Sequence, residues 1–262
     1  MNQTQPQPLA GQTAIVTGGA SGIGRATGLS LARLGAAITL VDLNERLAEE
    51  AARDLRQFPH AVEPLVLRLD IRREADMAEM ARLTLARFGR IDILVHSAGI
   101  LRGTGSKPKL LAEVEMAEWE EVIATNLTGT FLCNRAVLAA MMEQRSGQII
   151  NISSTSGLKG RPLDAVYCAS KFGIMGLSQS LAEEVRNFGI RVQVVAPDAI
   201  DTPMWDQNGP IRPPADALPA DRVADLIAYM VTLPLDTILG EVIIAPFRTR
   251  RRKKPPASEG SV

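Results

Sequence analysis

A tyrosine and a lysine stand four residues apart in the run YCASK, as Tyr167 and Lys171, in a chain with only two tyrosines. On a helix that spacing puts both side chains on one face, close enough to interact. An ammonium beside a phenol favours the phenolate and draws the phenol down from a pKa of about 10. Tyr167 would then be a usable general acid or base. An isolated Y-x-x-x-K is more often a surface pair on an amphipathic helix, so the assignment depends on the rest of the chain.

A second run, TGGASGIG over 17–24, spaces Gly18, Gly22 and Gly24 as G-x-x-x-G-x-G. Glycines at such spacing permit a tight turn, close backbone approach to a pyrophosphate and close helix–strand packing. Gly18, Ser21, Gly22, Ile23 and Gly24 are the candidate cradle. The next apolar strand ends at Asp42, whose carboxylate could accept both ribose hydroxyls and would repel a 2′-phosphate. A simple strand-end cap is the other reading of Asp42. A dinucleotide is expected, with NAD ahead of NADP. Arg25, just past the turn, is the residue best able to reverse that preference by pairing with a 2′-phosphate.

These residues need elements to hold them. Apolar runs at 13–18, 37–42, 63–70, 91–99, 147–153, 190–197 and 240–246 read as seven strands. Helical patterns fill 23–34, 45–57, 73–88, 115–143, 164–188 and 220–232. Near-continuous apolar strands separated by helices predict a doubly wound, Rossmann-type α/β fold, with a parallel sheet covered on both faces. Gly35, Gly89, Gly147 and Gly189 fall between a helix and the next strand, where a helix end favours glycine. The segment 203–219 holds five prolines and is too irregular for an element. A loop of that length in a compact domain suits a lid or binding loop.

With 262 residues the chain can bury one large core. The expected division is a flexible lead at 1–10, one catalytic domain at 11–247 and a basic tail at 248–262. That tail carries six basic residues and one acidic one in a chain of zero formal net charge. A solvated, disordered end is its expected state, and nucleic-acid or membrane contact is not expected. No apolar run is long enough to cross a bilayer, and the N-terminus lacks the features of a signal peptide. Cys133 and Cys168 read as reduced, buried thiols of a cytoplasmic protein. The two histidines, His60 and His96, have no metal-ligand spacing with any cysteine or with each other. No metal is expected.

Over residues 11–246 the chain resembles the short-chain dehydrogenase/reductase family. The motifs come in order: TGGASGIG, HSAG at 96–99 where the family usually has N-N-A-G, Asn126 in ATNLTGTF, Ser154 in NISSTSG, YCASK, and PDAIDTPM at 197–204. Ser154 precedes Tyr167 by 13 residues, the spacing the family uses, although adjacent Ser153 offers a competing register.

The resemblance implies a catalytic tetrad of Asn126, Ser154, Tyr167 and Lys171. Tyr167 would donate a proton to a carbonyl oxygen or take one from a hydroxyl. Lys171 would lower its pKa and hold the nicotinamide ribose, Ser154 would fix the substrate oxygen, and Asn126 would anchor a water beside Lys171. Asp70 would contact adenine, Gly99 would border the cofactor, and Ile200 and Thr202 would hold its carboxamide. Ile71, Ser97 and Pro197 complete the implied cofactor set, which Tyr167 and Lys171 share. The activity implied is interconversion of a secondary alcohol and a ketone with NAD. An NADP-dependent 3-oxoacyl carrier-protein reductase and a catalytically idle dinucleotide-binding regulator are the alternatives.

Three departures stand out. His96 and Ser97 replace two asparagines, Asp198 stands where the family usually has glycine, and the ending APFRTRRRKK replaces the family's V-D-G-G. Arg102, Lys107, Lys109, Lys159 and Arg161 lie in substrate-facing loops and could favour an anionic substrate, although loop cations are usually only solvated. Segments 115–143 and 164–188 are apolar on more than one face. In the family the corresponding helices pair with their symmetry mates, so a homodimer at least is expected, or a homotetramer.

Overall fold

The computed structural model describes residues 7–247. The strands are β1 (Thr13–Thr17), β2 (Ala37–Asp42), β3 (Leu65–Arg68), β4 (Ile93–His96), β5 (Gly147–Ile152), β6 (Ile190–Pro197), the two-residue β7 (Ile200–Asp201) and β8 (Leu218–Pro219), and β9 (Glu241–Ile244). The helices are α1 (Gly22–Arg33), α2 (Glu45–Leu55), α3 (Glu74–Phe88), α4 (Met116–Ile123), α5 (Gly129–Gln144), α6 (Ala165–Val185) and α7 (Ala220–Thr232). Seven strands form one sheet in the order β3-β2-β1-β4-β5-β6-β9, and every pair is parallel. This is the expected Rossmann-type sheet.

Alternate side chains of each strand enter opposite cores. Val16, Leu40, Val95 and Ile150 pack with Leu31 of α1, Leu55 of α2 and Ile227 of α7. Ile15, Val41, Leu94 and Ile149 pack with Met80 of α3, Val137 of α5 and Leu181 of α6. The strand order reverses between β1 and β4, which opens a crevice at the carboxyl ends of the strands. Every motif of the sequence lies at that end.

Four details differ from expectation. Leu9, placed in the loose lead, is 1% exposed and packs in the first core, with its N–H donating to the Leu34 carbonyl. Residues 1–6 of that lead and the basic tail 248–262 lie outside the described residues. The single long helix expected at 115–143 is divided by a π-type turn at Ala124–Thr128. Gly147 is not a helix cap, because Arg145 takes the left-handed conformation at φ 51°. A Cβ on Gly147 would instead lie 2.5 Å from the Met141 sulfur. Finally, the proline-rich segment contains a 3-10 turn at Pro203–Asn208 and the short pairing of β7 with β8.

Candidate active site

The glycine turn is built by steric exclusion. Gly18 has φ 66°, and a Cβ there would stand 2.8 Å from the Ala98 nitrogen. Gly22 also needs a positive φ, at 51°. A Cβ on Gly24 would lie 2.1 Å from the Gly18 carbonyl oxygen, so only glycine lets α1 start this close to the turn. The first turn of α1 has no acidic residue, and Ser21 makes no side-chain cap. Its orphan N–H groups therefore face the crevice without an internal anion, as a pyrophosphate site requires.

Asp42 closes the turn from β2. Its Oδ2 accepts from the Ala20 N–H at 3.1 Å and its Oδ1 from the Asn44 N–H at 2.9 Å. Arg25 is paired with Asp54, which draws it toward α2. Asp70 lines the cleft, but Arg72 grips its carboxylate through Nε at 2.9 Å and Nη2 at 2.6 Å. That hydrogen-bonded guanidinium holds the Asp70 carboxyl below its usual range.

The cleft encloses about 790 Å³, within the usual range for small-molecule sites of roughly 300–1,000 Å³. Of the residues expected at the site, Gly18, Ser21, Gly22, Ile23, Asp42, Asp70, Ile71, Ser97, Gly99, Ser154, Tyr167, Lys171, Pro197, Ile200 and Thr202 line it. Gly24 and Asn126 stand behind its wall. Asn126 sits in the π-type turn, where its Oδ1 accepts from the Ile100 N–H at 2.8 Å and its Nδ2 donates to the Ile100 carbonyl at 2.7 Å. Nδ2 also donates to Ser170 Oγ at 3.0 Å. Asn126 thus clamps the chain leaving β4 to α6, one residue from Lys171.

The competing serine register is resolved by burial. Ser153 Oγ donates to the Lys171 carbonyl at 3.0 Å and is tied into the scaffold. Ser154 Oγ accepts from the Ser156 N–H at 3.1 Å, and Ser154 lines the cleft together with Tyr167.

Lys171 behaves differently from expectation. Its Nζ donates to the Ile152 carbonyl at 2.9 Å and lies 5.6 Å from the centre of the Tyr167 ring. Burial pushes its pKa down to about 8. Burial pushes Tyr167 up to about 12, against the pull of the Ser154 hydroxyl and Arg161, with Asp164 adding to the rise. In this structure, then, removal from water outweighs the ammonium one turn away.

His96 replaces the usual tie at the end of β4. Its Nδ1 shares a hydrogen bond with Thr17 Oγ1 of β1 at 2.8 Å, and its Nε2 has no partner among the described residues. Burial, and then the nearby Lys171 charge, pushes it down to about 3, so it is a neutral structural group at working pH. Asp198 is compensated, because Arg161 Nη2 donates to it at 2.6 Å. Arg102 is a wall of the site: it binds Asp164 at 2.5 Å, the Leu163 carbonyl at 2.9 Å and Asn208 at 3.0 Å.

Sequence reasoning missed Thr155, Asp164, Gln207 and Asn208. The last two lie in the irregular proline-rich segment, whose contacts with Leu101 and Arg102 and whose residues in the cleft lining show that it folds over the cleft. Among the described residues no group of three or more His, Cys, Asp or Glu could hold a metal. No described helix is long and apolar enough to cross a membrane.

The sequence profile of the family described as short chain dehydrogenase matches residues 12–211. The 3-oxoacyl-[acyl-carrier-protein] reductase of Synechocystis sp. is 35% identical over 86% of this chain and 91% of its own. Among solved structures, levodione reductase superposes with a TM-score of 0.83 at 31% identity, covering 90% of this chain and 96% of its own. A metagenomic short-chain oxidoreductase in complex with NADP superposes at 0.79 and 33% identity, covering 92% and 100%. The chain belongs to the short-chain dehydrogenase/reductase family and is a dinucleotide-dependent oxidoreductase of CH–OH or carbonyl groups.

Proposed function

We propose that the enzyme interconverts a secondary alcohol and a ketone, with Tyr167 as general acid and base. The observation that carries this reading is that Ser154, Tyr167 and Lys171 come together in the lining of one cleft, with Lys171 buried one turn beyond Tyr167. The bound nicotinamide supplies or accepts the hydride. Ser154 and Tyr167 offer two oriented hydroxyls to the substrate oxygen, where charge develops as the carbon changes hybridisation. Because burial keeps Tyr167 protonated well above neutral pH, it is poised to donate in ketone reduction. Lys171 and Asn126 fix the floor of the site, and Ile200 and Thr202 border the place of the carboxamide. Steady-state assays of wild type and Tyr167→Phe on alcohol and ketone panels test the assignment. Retention of most activity by Tyr167→Phe would reject it.

NAD is the proposed cofactor. Asp42 stands at the end of β2 as a like charge to any 2′-phosphate, and Arg25, just past the glycine turn, is engaged by Asp54. The second reading, an NADP-dependent 3-oxoacyl carrier-protein reductase, draws on the activity of the Synechocystis relative and on the solved relative that holds NADP. Titration with both cofactors separates the two.

The proposed assembly is a homodimer through α5 and α6. Phe131 on α5 and Phe172 on α6 are 41% and 46% exposed, large apolar groups on helices whose other faces already pack in the molecule. A self-complementary twofold contact would cover them. A monomer mass by light scattering at micromolar concentration would reject it. The two free, buried cysteines support a reducing, cytoplasmic setting.

A further inference from the structure

Five cations lie in the loops flanking the substrate side of the cleft, and the fold sorts them. Arg102 is 8% exposed and spent on Asp164, Asn208 and the Leu163 carbonyl. Lys109 pairs with Glu118 at 2.8 Å. Lys107 and Lys159 do not line the cleft, whereas Arg161 does.

Arg161 is anchored through a single nitrogen. Its Nη2 donates to Asp198 Oδ1 at 2.6 Å and to Thr155 Oγ1 at 2.7 Å, and Thr155 Oγ1 donates to the same Asp198 oxygen at 3.0 Å. Nη1 and Nε have no partner among the described residues, and the side chain is 47% exposed. Thr155 directly follows Ser154, so this small network ties the loop after β5 to the loop after β6 beside the reacting hydroxyls. We propose that Arg161 is the specificity-determining residue of this site, selecting a substrate that carries a carboxylate a few atoms from its carbinol or carbonyl carbon. The inference rests on the assignment of Ser154 and Tyr167 to the substrate oxygen.

A guanidinium recognises carboxylate through directed, charge-assisted hydrogen bonds, and one already held in place loses little freedom on binding. Asp198 and Thr155 do the holding and leave Nη1 with both donors. The other carboxylates on this side are engaged: Glu121 accepts from the N–H and hydroxyl of Thr104, and Asp164 accepts from Arg102. An incoming carboxylate therefore meets the free side of Arg161 with Asp198 behind it, attraction tempered but not cancelled. The network also accounts for an aspartate in the loop that borders the carboxamide site, since Asp198 orients the guanidinium.

The test is binding to the full-length protein loaded with NAD. Benzoate and cyclohexanecarboxylate are titrated by calorimetry against their primary amides. Each acid should bind about tenfold more tightly than its amide, about 1.4 kcal/mol. Arg161→Gln should abolish the preference, Arg161→Lys should restore part of it, and Asp198→Asn should widen it. Unchanged thermal unfolding midpoints of the variants serve as the folding control. Equal affinity for acid and amide in wild type, binding of neither, or a preference that survives Arg161→Gln would overturn the proposal. These outcomes leave the acid–base assignment standing, because they read binding alone. An active Tyr167→Phe enzyme would remove that assignment whatever Arg161 does.

Discussion

The ammonium of Lys171 donates to the carbonyl oxygen of Ile152 at 2.9 Å, so the lysine is anchored on the strand that presents Ser154. Its Nζ lies 5.6 Å from the centre of the Tyr167 ring. Tyr167→Phe removes a proton donor and little volume. It should bind NAD nearly normally and lose turnover by at least about 100-fold. Lys171→Ala should lose both turnover and NAD affinity, because it also leaves the Ile152 carbonyl buried without a donor. Stopped-flow cofactor binding beside steady-state rates distinguishes the two patterns.

The high pKa of Tyr167 sets a direction for pH dependence. Alcohol oxidation needs the phenolate, whose fraction increases with pH up to about 12 in this structure. Oxidation rates should therefore climb through the alkaline range, while ketone reduction should hold up near neutrality and fall as the phenol loses its proton. An oxidation rate that is flat from neutral to alkaline pH would contradict the assignment.

Asp42 should make NAD(H) bind more tightly than NADP(H). Asp42→Asn keeps an acceptor for one of the two backbone N–H groups and removes the charge, so it should narrow the ratio of dissociation constants by about tenfold or more. Comparable constants for both cofactors in wild type, by fluorescence titration, would reject the preference.

His96 should weaken the fold in acid. Its pKa is about 3 in the native state, against about 6.5 when unfolded. Between those values the unfolded chain binds more protons, so stability is lost as pH falls from about 6.5 toward about 3. His96→Asn lacks this loss. On going from pH 7 to pH 4 in urea unfolding, wild type should lose more stability than the variant, by on the order of 3 kcal/mol. Equal losses would show that His96 is protonated in the native protein.

Gly24→Ala should disrupt the cradle, because its Cβ would meet the Gly18 carbonyl oxygen at 2.1 Å, and backbone cannot move aside cheaply. A loss of stability of about 2 kcal/mol or more is expected, with NAD affinity falling alongside. Gly105→Ala, where nothing lies within 4 Å, is a control for substitution in open space, although its positive φ adds strain of its own.

The sequence by itself determined the sheet, the helices and the order of the site. Strand and helix are written in local spacing, which is why α7 at Ala220–Thr232 and β6 at Ile190–Pro197 fall where the pattern placed them. The glycine turn was equally legible, because its steric demand is made by residues six apart, Gly18 and Gly24. What only the tertiary structure decided depends on partners distant in the chain. The π-type turn that aims Asn126 at Ile100 leaves no mark on helical periodicity. The rise of Tyr167 comes from burial, which four-residue spacing cannot report. Arg102 and Arg161 look alike in sequence, yet Asn208, 106 residues away, takes one into the wall. Asp198, 37 residues away, holds the other at the cleft. Spacing along the chain encodes which face a side chain takes, whereas its charge state and partner depend on what the folded core brings against it.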